Sequence, residues 1–382
     1  MKFVIEAKKL KQAVDRLKAV LGPRPLIRVR LAADKDIITF TTIYSNDVCV
    51  HLVYDADILE LEVVGIDLVN LYKIAKSFPK TGEITVSYES DTNMSFAGVD
   101  GKSIIPCFPG DNLPGWNFPI PEQEIGLEFL QGILKKTVYA CAADYAKANI
   151  YGLHFWADYS SIKICGTDGV RLAQLTLEDS LFSLPNQKDV FITPPGGLVS
   201  LLNPVMWDQS ASCWAGLAGK TTKIDREIER GWFVVHNGSI TVALPAIIGQ
   251  RYPNVEGISS GYDRCTIRFK VDRLALIQAC QRIIPSKKDG RIKLKVVGEE
   301  GIIRLTWEDH LYTCSRIEQV GLYNLEGGDT EIEIEANYIL EACHPIPDRF
   351  VRIRMEKDQL APIFIEGDVS TNYRCLIMPI RM

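Results

Sequence analysis

Apolar residues follow two rhythms along this chain, and the rhythms succeed one another in the same order three times. A short β-branched run comes first, then a stripe at spacings of three and four, which marks an amphipathic helix. Phe3, Val4 and Ile5 lead into Leu10, Ala13, Val14, Leu17, Val20 and Leu21, with Gly22–Pro23 as a stop signal. Ile125 and Leu127 precede Leu130, Ile133, Leu134 and Val138. Ile267, Phe269 and Val271 precede Leu274, Ile277, Cys280 and Ile284, stopped by Pro285.

Strict alternation follows each stripe and predicts hairpins. Residues 26–31 and 37–42 flank Asp34–Lys35–Asp36. Residues 151–156 and 162–165 flank a turn at 158–161. Residues 292–297 and 302–307 flank Gly298 to Gly301. A second helix is expected at 67–76, at 197–202 and at 335–343, each running into proline at Pro79, Pro204 or Pro345. Strand-like runs ending on proline close the copies, at Ser103–Pro106, Thr241–Pro245 and Leu376–Pro379. The stretch Trp207–Arg230, rich in Ser, Gly and charge, reads as a variable loop. Boundaries in the Pro/Gly-rich stretch 108–121 and around 250–262 give domains 1–121, 122–252 and 253–382. A repeated unit that cannot bury its own helical stripes needs antiparallel strands beneath them, so the expected class is α+β. Uncovered edge strands are a liability, and another copy is the simplest cover.

Composition narrows the setting. Of 382 residues 47% are hydrophobic and 24% charged, the balance of a globular chain. No apolar run approaches the roughly 18–20 residues that span a membrane, and the early lysines argue against a signal peptide. Ten scattered cysteines without a CxxC pair suit free thiols, so a cytoplasmic setting and no membrane partner are expected. The net charge of −5 gives no global sign of nucleic-acid binding, so any such surface must be segregated.

Four segments then stand in one order. They are Met1–Lys2–Phe3 with its helix ending at Gly22–Pro23–Arg24–Pro25; Ile150–Tyr151–Gly152–Leu153 followed by 166–173; Tyr252–Pro253; and the terminal Met378 to Met382. Over a triple repeat, these resemble the bacterial sliding-clamp family, the β subunits of the replicative DNA polymerase, along essentially the whole chain. The resemblance implies three repeated domains of the DNA-clamp fold, with antiparallel sheets outside and helices lining a central channel. It implies a ring-shaped homodimer that encircles double-stranded DNA without sequence specificity. It also implies partners that dock on one face: the replicative polymerase subunit, a clamp loader and other proteins bearing clamp-binding peptides.

Carried over residue by residue, one wall of the docking pocket is Ile150, Thr167, Gly169, Val170, Arg171 and Leu172. Pro253 and Ile258 come from the linker, and Leu376, Met378, Pro379, Ile380 and Arg381 from the tail. Most are apolar, and Met378 is a side chain able to repack around different ligands. Each Leu or Phe anchor of a peptide buried there contributes roughly 1.5–3 kcal/mol. Two or three anchors reach about −8 kcal/mol, a micromolar affinity that suits exchanging partners. Taken alone, Thr167–Asp168–Gly169 is more often a plain turn, and a C-terminal strand with Met and Pro more often core and edge.

The same resemblance places a DNA contact at Arg24, while the basic bias of the helices adds Lys11 and Lys18 beside Lys8, Lys9 and Arg16 in the first, Lys73, Lys76 and Lys80 in and after the second, Lys135, Lys136 and Lys147 in the second copy, and Arg273, Arg282, Lys287, Lys288 and Arg291 in the third. A charge run is otherwise a solvated face; here contacts would go to phosphates and carry no sequence reading. Thr193 to Gly197 lacks the basic residues common in the family, and Asp144 lies near another expected contact, so the middle copy is expected to contribute less. Ring closure would bring Ile104 and Ile105 against Ile283 and Ile284 of a second protomer, unless these are ordinary core residues.

Catalytic chemistry has little to stand on. The five histidines show no metal-ligand spacing, and no GxSxG, HExxH or phosphate loop occurs. No cofactor, metal or catalytic residue is expected, and the chain is read as a non-catalytic subunit. The alternatives are a β-rich interaction scaffold that does not encircle DNA and a Cys/His hydrolase drawing on Cys343 and His344.

Overall fold

The computed structural model describes residues 1–21, 27–43, 48–142, 144–158, 161–178, 190–192, 195–223, 229–249, 252–255, 257, 260–284, 290–309 and 314–380. Its chain contacts fall into two compact units, Met1–Gln131 with Leu181–Gly249, and Gly132–Ser180 with Gln250–Met382.

In unit one, strand Lys2–Glu6 runs directly into α1 (Ala7–Leu21), and strand Val63–Asp67 into α2 (Leu68–Ser77). The α1 stripe is buried as its spacing predicts, at Leu10, Ala13, Val14, Leu17, Val20 and Leu21. α1 and α2 pack side by side. Beneath them a five-stranded sheet takes the order Asp57–Glu60, Lys2–Glu6, Glu83–Ser90, Asn93–Gly98 and Gly101–Pro106. A second antiparallel set joins Val63–Asp67, Arg28–Asp34, Ile37–Ile43 and Cys49–Asp55. Cys49–Asp55 then pairs with Ile240–Ile248, in the register Leu52 to Ile240 and Val50 to Val242, so the sheet of the first copy runs on into strands of the second. Ile240–Ile248 in turn pairs with Glu229–Asn237, and that strand with Cys213–Lys223.

This last hairpin overturns the loop expected over Trp207–Arg230. Cys213 and Ala215 are only 2% and 0% exposed. The Ser- and Gly-rich composition hid a strand whose inward residues are small. The structure also overturns Arg16 as a surface cation. It is 2% exposed, and its guanidinium bonds Tyr54 Oη at 3.2 Å and Ser239 Oγ at 2.6 Å.

α3 (Leu127–Thr137) begins in unit one and ends in unit two; α4 (Pro195–Ser200) lies in unit one against α1. In unit two follow α5 (Gly261–Arg264), α6 (Arg273–Ile283) and α7 (Ala336–Cys343). Strand Ile267–Asp272 runs straight into α6, whose first turn is capped by Asp272 accepting from the Ala275 amide at 3.0 Å. α6 packs on α7. Its buried residues are Leu276, Ile277, Ala279, Cys280 and Ile283, while Leu274 is 56% exposed. The sequence stripe was therefore out of phase at both ends, because Ile283 rather than Ile284 faces the core.

Leu153–Asp158, Ser161–Thr167 and Arg171–Glu178 form a meander in unit two. It continues through Tyr373–Ile377, Ile363–Gly367, Phe350–Met355 and Ile267–Asp272. A second sheet orders Thr330–Glu335, Arg291–Val297, Ile302–Asp309 and the first part of the long strand Cys314–Glu326. The last part of that strand crosses to pair with Ile267–Asp272.

Candidate docking site

All the described residues expected to form the docking pocket lie in unit two. Their frame is the turn from Ser161–Thr167 to Arg171–Glu178. Gly169 takes φ +92°, a conformation that favours glycine. Thr167 Oγ1 accepts from the Gly169 amide at 3.1 Å and donates to the Arg171 carbonyl at 2.5 Å. Asp168 Oδ1 accepts from the amides of Val170 at 2.9 Å and Arg171 at 3.0 Å. These bonds leave Gly169 and Val170 exposed at the tip, and Ile150 packs near Gly169.

The C-terminal tail meets this turn by strand pairing. Arg171 pairs with Ile377 and Leu172 with Leu376. Beyond the strand, the Met378 amide donates to the Val170 carbonyl at 2.8 Å, and the Ile380 amide to the Glu333 carbonyl at 2.9 Å. The tail is thus fixed at both ends of its last turn. Leu172 and Leu376 join Cys165, Val255, Cys265 and Phe364 in one buried cluster, against which Met378, Tyr252, Trp156 and Tyr262 pack partly exposed. Tyr252 and Val255 flank Pro253, which is itself exposed. Thr167 and Pro379 are buried, and Ile150, Met378 and Ile380 half-buried. Leu172, Leu376 and Met378 thus share one apolar cluster, with Ile150 beside Gly169 and the tail beside Val170. Ile258 and Arg381 lie outside the described residues.

Arg171 is the polar anchor of the turn. Its Nε donates to Asp168 Oδ2 at 3.1 Å, one terminal nitrogen to the Tyr139 carbonyl at 2.8 Å, and the other to Glu341. The guanidinium also lies over Tyr338, 4.4 Å from the ring centroid. Sequence reading missed Tyr338 and Glu341. They sit three apart on α7, a spacing that puts two side chains on one helix face, but only the fold reveals that Arg171 meets that face.

The basic residues divide. Lys8 and Lys18 of α1 and Lys73, Lys76 and Lys80 of α2 and its end are exposed; Lys11 is half-buried. Lys18 Nζ stands 3.9 Å and Lys76 Nζ 5.3 Å from the Tyr72 ring centroid, and Lys76 also pairs with Asp15 at 2.9 Å. Lys147 Nζ donates to the Asp168 carbonyl at 2.9 Å, which puts it at the docking turn. Arg282 is held by Glu318 at 2.7 Å. Arg24, Lys287 and Lys288 lie outside the described residues.

At the expected seam, Ile104 is 55% exposed and Ile105 half-buried on Gly101–Pro106, the last strand of its sheet. Ile284 is half-buried, but Ile283 is 0% exposed within its own chain. It is a core residue of α6 and has no side-chain surface to offer a partner. Ile317, which sequence reading passed over, is 59% exposed on the first part of Cys314–Glu326.

The thiol required by the hydrolase alternative is poorly placed. Cys343 is fully buried, and burial pushes its pKa well above that of a free thiol. Among the described residues no cluster of three His, Cys, Asp or Glu could hold a metal ion.

Comparison with known proteins gives a consistent result. No family model matches the chain. Along 390 aligned residues it is 21% identical to the beta sliding clamp of Salmonella typhimurium, covering 100% of both chains. Its fold superposes on the DNA polymerase III subunit beta of Pseudomonas aeruginosa with TM-score 0.81 at 18% identity, and on a putative DNA polymerase III beta subunit of Eubacterium rectale with TM-score 0.83 at 16% identity. Both matches cover 100% of each chain. The fold is the DNA-clamp fold.

Proposed function

The chain is a divergent relative of the bacterial sliding clamps, and from that premise we propose that it is a ring-forming clamp that encircles duplex DNA and tethers a replicative polymerase. The full-length likeness in sequence and fold carries this reading. In it, the chain comprises the three domains 1–121, 122–252 and 253–382, works in the cytoplasm and catalyses no reaction. It raises processivity by keeping the polymerase near its template.

Two protomers close the ring head to tail. Supporting this, Gly101–Pro106 is an edge strand with Ile104 exposed, and the first part of Cys314–Glu326 is paired on one side among the described residues with Ile317 exposed. Edge-to-edge pairing would satisfy both. The cations of α1 and α2 face the phosphates. Weak, salt-sensitive contacts serve a topologically linked ring that must slide. The surface around Leu172, Leu376 and Met378 takes the apolar residues of a clamp-binding peptide from the polymerase, the clamp loader or other factors.

Retention on circular against linear DNA tests the reading. Loaded chain should stay on nicked circular DNA and run off when the circle is cut. Equal loss from both forms would favour a scaffold that never encircles DNA.

A further inference from the structure

On the exposed face of the larger sheet in unit two, neighbouring strands set cations opposite one another. Arg268 pairs with Arg354 and Lys270 with Arg352. Like charges in facing positions destabilise a sheet. Part of the compensation is internal. Asp368 is shared by Lys270 at 2.7 Å and Arg352 at 2.8 Å, and Glu366 by Arg354 at 3.4 Å and Arg374 at 3.5 Å. Arg268 reaches Glu326 only at 3.9 Å. Two carboxylates each serve two cations and a third is held loosely, so this face stays positive in a chain of net charge −5.

Between these side chains lies a hollow of about 240 Å³, lined by Arg268, Lys270, Arg352, Arg354, Asn324 and Glu326. It coincides with a β-bulge, where the register of Ile267–Asp272 against Cys314–Glu326 slips between Arg268 and Lys270. Asn324 in the bulge takes φ +53°, a conformation few non-glycine residues adopt. Bulges interrupt the ladder and re-aim side chains.

We propose that this hollow binds the carboxylate side chains of an acidic segment on a protein partner. The forked guanidinium groups of Arg268, Arg352 and Arg354 match a carboxylate in shape and charge. The volume suits one or two such side chains. A nucleic-acid backbone fits poorly: its phosphates lie in the backbone itself, so reaching the hollow would press the flanking sugars and phosphates onto Glu326, whereas a carboxylate reaches in on a flexible side chain and leaves its own backbone outside. The site stands whether or not the chain encircles DNA.

A fluorescein-labelled hexaglutamate peptide, titrated with the full chain and read by anisotropy, tests this, with a labelled hexathymidylate in parallel. The peptide should bind, weaken with salt, and lose at least about tenfold in affinity in Arg268→Ser/Lys270→Gln. Arg268→Lys should keep part of it, because the charge remains without the fork, and Lys11→Gln/Lys18→Gln, altered on α1, should keep all of it. Should the double variant melt early, Arg268→Ser alone gives the same comparison with the pairs of Asp368 and Glu366 intact. Absent peptide binding, equal binding by the parent and Arg268→Ser, loss confined to the α1 variant, or a loss in Arg268→Ser that is larger for the oligonucleotide than for the peptide would each overturn the proposal.

Discussion

The Met378 amide donates to the Val170 carbonyl at 2.8 Å, joining the end of the chain to a turn more than two hundred residues earlier. Main-chain atoms make this bond, so side-chain substitutions at Met378 leave it in place. Met378→Ala with Ile380→Ala should keep the fold and remove apolar surface from the proposed docking site. We expect affinity for a clamp-binding peptide to fall at least about tenfold, as loss of roughly 1.4 kcal/mol or more requires. Unchanged binding by calorimetry would remove these residues from the site.

Arg171 should matter to stability before it matters to binding. Its side chain is 11% exposed and joins Asp168, Glu341 and the Tyr139 carbonyl. Arg171→Ala leaves those acceptors short of a donor and should cost about 2–3 kcal/mol. Urea unfolding measures it. Arg171→Lys should recover only part, since an ammonium cannot fork between the partners.

Acid should destabilise both units through a half-buried histidine in one and a buried histidine in the other. In unit one, His51 Nδ1 is hydrogen-bonded to Thr41 Oγ1 at 2.8 Å, and its ring stacks on Trp116. Burial first, then the charges of Arg30 and His236, lowers its pKa from 6.5 to about 4. In unit two, His154 stacks on Tyr252, and burial lowers its pKa to about 4. The unfolded chain takes up these protons at higher pH than the folded one. Stability is therefore full above about pH 6.5 and falls as the pH drops towards 4, by on the order of 3 kcal/mol per histidine. His51→Asn should flatten the slope of unfolding free energy against pH in that window. An unchanged slope would mean that His51 titrates normally.

The two isoleucine pairs should part company. Ile104→Asp puts a charge on an exposed edge and should weaken self-association in sedimentation while leaving the melting temperature nearly unchanged. Ile283→Ala opens the core of unit two and should cost about 2–5 kcal/mol of stability. If Ile283→Ala instead yields a well-folded monomer, its placement in the core is wrong.

Lys11→Glu with Lys18→Glu should shorten retention on nicked circular DNA. It should also reduce the salt slope of binding by about one for each phosphate no longer neutralised. Unaltered retention would move the DNA face away from α1.

Periodicity alone determined the α1 stripe, the paired runs around Lys35 and Gly301, and the position of α2 and α7, because a half-buried helix or strand must repeat its apolar residues at its own period. The resemblance also marked Thr167 to Leu172 and the tail from Leu376 as a candidate site. Only the tertiary structure decided how those two segments meet. A strand pairing between distant residues leaves no local trace in either, and neither does the contact of Arg171 with Tyr338 and Glu341. Charge was the least legible property. Arg16 and Lys18 lie two residues apart on the same helix, yet Arg16 is buried against Ser239 and Lys18 is exposed. The hairpin of the second copy that packs there settled which lysine or arginine stayed at the surface. A sequence gives the sign of each charge, but the neighbours that desolvate or neutralise it come from elsewhere in the fold.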